Sequence, residues 1–425
     1  MQRVILAYSG GLINTAAIHW LRNKRRMRVV TLSAELGQGT DLEALAETAL
    51  MNGAESAHIA DLREPFLREF VFPALKAGAL YEGSYMLSTA LSRPLIAREM
   101  VRLAREESCE FLAHGAWGRS NDQVRYEAAV SALAPDLNIV SPRREWQFEN
   151  VDQIRSYAER HGLIVNEKER TTPYTRDQNI WGCRVTGGPL EDPANPPPED
   201  VFLLTKSPMA APDVPVNLSL TFEAGEPVAL DGVRMAPVPL IQALNRVGGE
   251  NAIGRVDHLE NRLLGNKIRE IYEKPAAVIC FAALRALEKL TLNAEALHSK
   301  PRLSDEFAEL VYKGQWFSDL REALGSFFDR MLQHVSGEVR LQLYKGNVVL
   351  QGVESPWSLY QREMSTISQF DSSDQQAVAG WLKLAGSLVR HTSRVRRSQT
   401  RRPGSSAEHP APIAEPGESD SSAPL

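Results

Sequence analysis

The feature that most limits what this chain can fold into is an alternation of short apolar runs with helix-like segments over the first ~140 residues. "RVILAY" precedes residues 14–24, "RVVTLSA" precedes "DLEALAETALMNGA", and "SAHIADL" precedes "PFLREFVFPALKAG". Such alternation predicts βαβ units, right-handed crossovers and a parallel sheet. A further helix is expected from Arg93, followed by the strand-like "EFLAHG". In an open parallel sheet the ligand lies beyond the carboxyl ends of the strands, so residues 9–15, 34–39 and 115–125 should converge on one crevice.

Within that crevice, "AYSGGLINT" places Ser-Gly-Gly directly after a strand. Backbone N–H groups there can approach phosphate oxygens, the next helix adds its positive end, and Ser9 and Thr15 can donate hydroxyls. The same residues also suit a plain tight turn. In "HGAWGRSNDQVRYE", Asn121, Asp122 and Arg125 share one face of a helix's opening turns. Asp122 can take an ammonium and Arg125 can fork onto a carboxylate, as an amino-acid ligand requires. The alternative has Asn121 capping the helix and Asp122 pairing with Arg125 in solvent.

Composition excludes several classes. A net charge of -5 argues against broad nucleic-acid binding, which needs a concentrated basic surface. Cys109, Cys183 and Cys280 form no CxxC pair, so neither a disulfide framework nor a zinc site is expected, and a reducing cytoplasm fits. His114 and His258 have no second ligand at helical or hairpin spacing, which makes metal binding by histidine unexpected. "MQRVILAYSGG" does not read as a secretory signal. The most apolar stretch, residues 276–292, carries Arg285, Glu288 and Lys289, so it reads as a core-facing helix and no membrane span is expected.

From about residue 165 the texture changes to a Pro-rich loop, "GGPLEDPANPPPED", and a second domain is expected. "VNLSLTFEAGEPVAL" and "EVRLQLYKGNVVLQG" read as hairpins, and "AVAGWLKLAGSLVRH" as an amphipathic helix. Beyond Thr392 the chain is rich in Ser, Pro and charge, the composition of a disordered tail.

Taken in order, "AYSGGL", "ELGQG", "YEGSYMLSTALSRPLIA", "HGAWGRSNDQVRYE", "LLTKSP", "GRVDHLENRLLG", "IYEKP" and "ELVYKGQWFSDLREAL" resemble argininosuccinate synthase, from about residue 3 to about residue 388. The resemblance implies an α/β fold. A parallel-sheet N-type ATP pyrophosphatase domain would occupy residues 1–165 and an α+β synthetase domain residues 166–360. A C-terminal oligomerisation helix would span 361–391 and help build a homotetramer, with the tail at 392–425. It implies a two-step ligation using ATP and Mg²⁺. The ureido oxygen of citrulline attacks the α-phosphorus of ATP, and the amine of aspartate then displaces AMP, in arginine biosynthesis.

By motif position, Ala7, Tyr8, Ser9, Gly10, Gly11, Leu12, Ile13, Asn14 and Thr15 would hold ATP, with Ala34 beside the adenine and Gly115 allowing close approach. Asn121 and Asp122 would bind aspartate. Tyr85, Asn121, Arg125, Thr175, Glu260 and Tyr272 would hold citrulline, with Trp117 and Arg184 also facing the substrates. Asp122 and Arg93 are the expected catalytic residues. Several positions depart from the family pattern. Ile13 replaces an Asp, Trp117 a Thr, Arg184 a Ser, and Ile268 and Glu270 a Ser and a Gly; Arg119 and Ser120 also differ, and Thr175 keeps a hydroxyl in place of Ser. These leave two further readings beside the ordinary synthase: a paralogous adenylating ligase with another amine or ureido substrate, and a non-catalytic homologue.

Overall fold

A computed structural model describes residues 1–116, 120–165, 172–365 and 374–400. Five strands form the expected parallel sheet: β1 (Arg3–Ala7), β2 (Arg28–Glu35), β3 (Ser56–Asp61), β4 (Phe111–Ala113) and β5 (Asn138–Val140), in the order β3-β2-β1-β4-β5. Val4, Ile5 and Leu6 of β1 are wholly buried. A central parallel strand is covered on both faces, so its sequence is a continuous apolar run and not an alternating one. The order reverses beside β1, and the loops after β1 and β4 therefore open a crevice at the switch point.

Nine antiparallel strands follow among the described residues: β6 (Thr175–Asn179), β7 (Gly182–Thr186), β8 (Val216–Glu223), β9 (Glu226–Leu230), β10 (Val233–Arg234), β11 (Arg255–Asn261), β12 (Lys267–Glu273), β13 (Gly337–Tyr344) and β14 (Asn347–Glu354). They make a sheet ordered β11-β12-β7-β6 and another ordered β10-β9-β8-β13-β14. Both expected hairpins form. Their two-residue turns, Ala224–Gly225 and Lys345–Gly346, have positive φ at both positions, the twist that matches a right-handed hairpin.

Met1–Leu359 form one compact unit. The largest core runs from Ile5 and Val30 through Leu91 and Leu95 to Trp181, Tyr272 and Phe307. The helix expected from Arg93 begins at Ser88. Leu87 turns the chain with φ +60°, and the Tyr85 hydroxyl accepts from the amides of Thr89 (3.1 Å) and Ala90 (3.2 Å). That cap comes from outside the helix, so no local signal marks it. In the second unit, from Tyr360, helices span Gln375–Ala385 and Ser387–Thr400. Residues 392–400 are therefore helical and not part of a disordered tail. The chain breakers begin only at Pro403 and Gly404; residues 401–425 lie outside the described residues.

One buried acid ties a loop to β12. The Glu273 carboxylate accepts from the amides of Leu203, Leu204 and Thr205 and from the Thr205 hydroxyl, each at 2.8 Å. Glu273→Ala strands these donors away from water and is expected to destabilise the protein by about 3–5 kcal/mol. A thermal unfolding scan checks this; an unmoved transition would mean that the loop is held by other contacts.

Candidate active site

Gly10 has φ +80°, and a Cβ there would come within 2.2 Å of Leu45 Cδ1, so the turn after β1 accepts only glycine. Gly11 is the N-cap of the helix Leu12–Asn23 and brings no side-chain cap, so the positive end of the helix faces the turn. Ser9 is exposed and its hydroxyl accepts from Asn14 Nδ2 at 2.9 Å. Thr15 is turned inward. It is wholly buried, and its hydroxyl donates to the Gly10 carbonyl (3.3 Å) beside Tyr8 Oη (3.2 Å).

Across the crevice, a Cβ on Gly115 would lie 1.8 Å from Asn14 Oδ1 and 3.3 Å from Ile13 Cγ2. Asn14 thus packs against the loop after β4, and its Oδ1 is buried without a hydrogen-bond partner. Ala7 and Ala34 lie at the ends of β1 and β2, and Leu12 and Ile13 lean on the apolar cluster behind the loop.

The helix Asn121–Leu133 starts where β4 points. Ser120, not Asn121, caps it, accepting from the Asp122 amide at 3.2 Å. Asn121, Asp122 and Arg125 are all buried, so Asp122 and Arg125 are not the solvated pair of the alternative reading. Asp122 Oδ1 accepts from Arg125 (2.9 Å) and Oδ2 from Arg93 (3.1 Å); Arg93 also donates to Asp177 of β6. Burial alone would raise the pKa of Asp122. Arg93, Arg125 and Arg184 overcome this and hold it well below the usual carboxylate range. Its stabilising effect is present above that range and is lost only as pH falls through the lowered value.

Arg184 on β7 is paired across the ladder with both Asp177 and Tyr272. Its guanidinium meets Glu270 Oε1 (3.4 Å) and Asp177 Oδ2 (3.9 Å), and Arg262 donates to the same Glu270 oxygen. Tyr272 Oη lies 2.6 Å from both Glu260 Oε2 and Glu270 Oε2. Tyr312 Oη has one proton for Glu260 Oε1 (2.6 Å) and the Asn261 carbonyl (2.9 Å), and accepts from Asn121 Nδ2 (2.7 Å). Tyr85 stacks on Tyr272 with ring centroids 4.6 Å apart, and burial pushes its hydroxyl up to about 12.

The structure thus joins Arg93, Asn121, Asp122, Arg125, Arg184, Glu260 and Tyr272 in one polar network, with the Tyr85 ring stacked on Tyr272. Thr175 stands exposed at the start of β6, two residues before Asp177, outside the network's hydrogen bonds among the described residues. Trp117 and Arg119 lie outside the described residues. Asp177, Arg262 and Tyr312 belong to the network but were not singled out in the sequence. Only Arg262 and Tyr312 carried a signal there, standing inside the motifs "GRVDHLENRLLG" and "ELVYKGQW".

Two family models match the chain: the argininosuccinate synthase N-terminal HUP domain over residues 3–164 and the C-terminal domain over residues 174–391. The chain belongs to the argininosuccinate synthase family. It is 47% identical over 386 residues to the argininosuccinate synthase of Pelotomaculum thermopropionicum, covering 91% of this chain and 96% of that relative. It is 45% identical over 394 residues to that of Chlorobium limicola, covering 93% and 98%. A third argininosuccinate synthase, from Carboxydothermus hydrogenoformans, is 45% identical over 385 residues, covering 91% and 96%. In this family member Arg184 and Glu270 are each other's partners.

Proposed function

We propose that this protein is an ATP-dependent carbon–nitrogen ligase that joins citrulline to aspartate, forming argininosuccinate, AMP and pyrophosphate in arginine biosynthesis. The observation that carries this reading is the polar network, which offers guanidinium groups for carboxylates and buried acids for an ammonium, beside a phosphate-type loop. The ureido oxygen of citrulline attacks the α-phosphorus of ATP, and the bond to pyrophosphate breaks. The aspartate nitrogen then attacks the ureido carbon; the bond to AMP breaks and a proton leaves the nitrogen. Reaction of this kind depends on positioning and on donors aimed at phosphate oxygens.

Gly10, Gly11 and the first turn of the helix Leu12–Asn23 would supply those donors. Asp122 keeps two free acceptor positions besides its two bonded guanidiniums, enough to orient an ammonium. Its lowered pKa makes it a fixed anion and not a proton acceptor. Arg93 and Asn121 would hold it and the substrate in register, while Arg125, Glu260 and Tyr272 would face the citrulline head group.

Residues 7–15 contain no carboxylate. The neutral oxygens of Ser9 and Asn14 do not fit a resident Mg²⁺, which binds through carboxylates together with phosphates. No helix among the described residues is long and apolar enough to cross a membrane, which accords with a cytoplasmic enzyme. Val378, Trp381 and Leu382, spaced for one helix face, support assembly through the C-terminal segment, as a homotetramer.

ATP–pyrophosphate exchange with the purified protein tests the reading. Exchange is expected only when citrulline is added, and argininosuccinate should accumulate once aspartate follows. Exchange that ignores citrulline, or none with any ureido compound, would overturn it.

A further inference from the structure

Tyr272 Oη is 2.6 Å from one oxygen of Glu260 and 2.6 Å from one oxygen of Glu270. Each contact of that length between oxygens needs a proton within it, and a tyrosine hydroxyl has one to give. The second proton must sit on a carboxyl. Glu270 is not its holder: although burial opposes its charge, Arg184 and Arg262 grip Oε1 and keep it ionised. Glu260 is. Burial and the facing Glu270 both push its pKa up, against Tyr272, Tyr312 and the more distant Arg125.

The groups around Glu260 come from several elements. Glu270 and Tyr272 lie on β12, Tyr312 ends the helix Ala294–Tyr312, and Arg125 sits over the Tyr312 ring at 4.9 Å. Tyr81 stacks on Tyr312 at 3.6 Å and Tyr85 on Tyr272; His258 of β11 is 6.4 Å from Tyr272 and its Nε2 stands 3.3 Å from Glu82. Among the described residues no cation forms an ion pair with Glu260. Nearby, Arg125 Nη2, Arg184 Nε and Arg262 Nε are buried without acceptors. The network therefore has one acid without a cation, Glu260, beside a Glu270 oxygen (Oε2) that meets Tyr272 and not the guanidiniums, and three guanidinium donors awaiting an anion. That is the complement of an amino-acid zwitterion.

We propose that Glu270 is a second carboxylate ligand, with Glu260, for the α-ammonium group of the ureido amino acid, and that this ammonium displaces the proton held between them. One ammonium enters, Glu260 becomes a carboxylate, one proton goes to solvent, and Tyr272 keeps its own. The inference rests on the citrulline reading above and adds a demand to it: the substrate must carry a free α-amino group.

Calorimetric titration of the full chain with citrulline, beside a non-hydrolysable ATP analogue, tests this in two buffers of unlike ionisation enthalpy from about pH 5 to about pH 8. Proton release should approach one per citrulline at the acid end and fade as Glu260 ionises, while affinity rises by up to about tenfold per pH unit over the acid part. Glu270→Gln should bind citrulline about tenfold more weakly and release no proton in this range. With the unaltered protein, Nα-acetylcitrulline should bind at least about a hundredfold more weakly, again without proton release. Citrulline binding with the same heat in both buffers at every pH, or a Glu270→Gln variant that still releases the proton, would overturn this inference alone. No binding of citrulline at any pH would overturn the citrulline reading and this inference with it.

Discussion

Asp122→Asn is expected to cut argininosuccinate formation by on the order of a hundredfold while leaving the chain folded. Asn keeps one acceptor oxygen for Arg93 or Arg125 but loses the charge that both guanidiniums now share at 3.1 and 2.9 Å. Arg93 retains Asp177, whereas among the described residues Arg125 retains only the Tyr312 carbonyl at 3.0 Å and the face of its ring. The substrate carboxylates would then meet a cluster with one more uncompensated cation, and the amine would lose its fixed anion. Asp122→Ala should go further and destabilise the protein by about 3–5 kcal/mol, because it leaves buried guanidiniums without a partner. Turnover and a thermal scan separate the two effects. If Asp122→Asn formed argininosuccinate at the original rate, Asp122 would be a structural counter-ion only.

The second large effect is a gain. Ile13→Asp should raise ATP–pyrophosphate exchange at least about tenfold, since a carboxylate beside the phosphates can hold the metal that accompanies ATP. The exchange is safe for the fold. Ile13 is half-buried at the second position of the helix Leu12–Asn23, which has no acid in its first turn. A carboxylate there gains about 0.3–1 kcal/mol from the helix dipole, against a lost apolar contact of about 1 kcal/mol. Asn14 stays beside Gly115, so the crevice keeps its shape. An unchanged exchange rate would show that the missing carboxylate does not limit adenylation.

Part of the site was legible before any coordinates. The glycine turn directly after the first strand could be read as a phosphate cradle, because backbone N–H groups there can approach an anion closely. Asn121, Asp122 and Arg125 could be placed on one face because helical spacing is local. For Thr15, spacing puts the hydroxyl near the loop, and packing turns it inward to the Gly10 carbonyl. Asp177 had no signal at all, being one polar residue in the short strand "TRDQN". The start of the helix at Ser88 was hidden because its cap, Tyr85, belongs to the chain before the helix.

The parallel sheet, the glycine turn after β1, the crevice at the switch point and, through the ordered motifs, the family could all be read from the residues alone. Those follow from periodicity and backbone sterics, which act over a few residues. The charge states of the site were decided by tertiary structure alone. Arg184 and Glu270, 86 positions apart, become partners only because β7 lies beside β12. Whether Glu260 carries a proton depends on that pairing, on burial and on a tyrosine shared between two acids. Electrostatic energy in a dry interior is set by distances between side chains, and no stretch of sequence contains those distances.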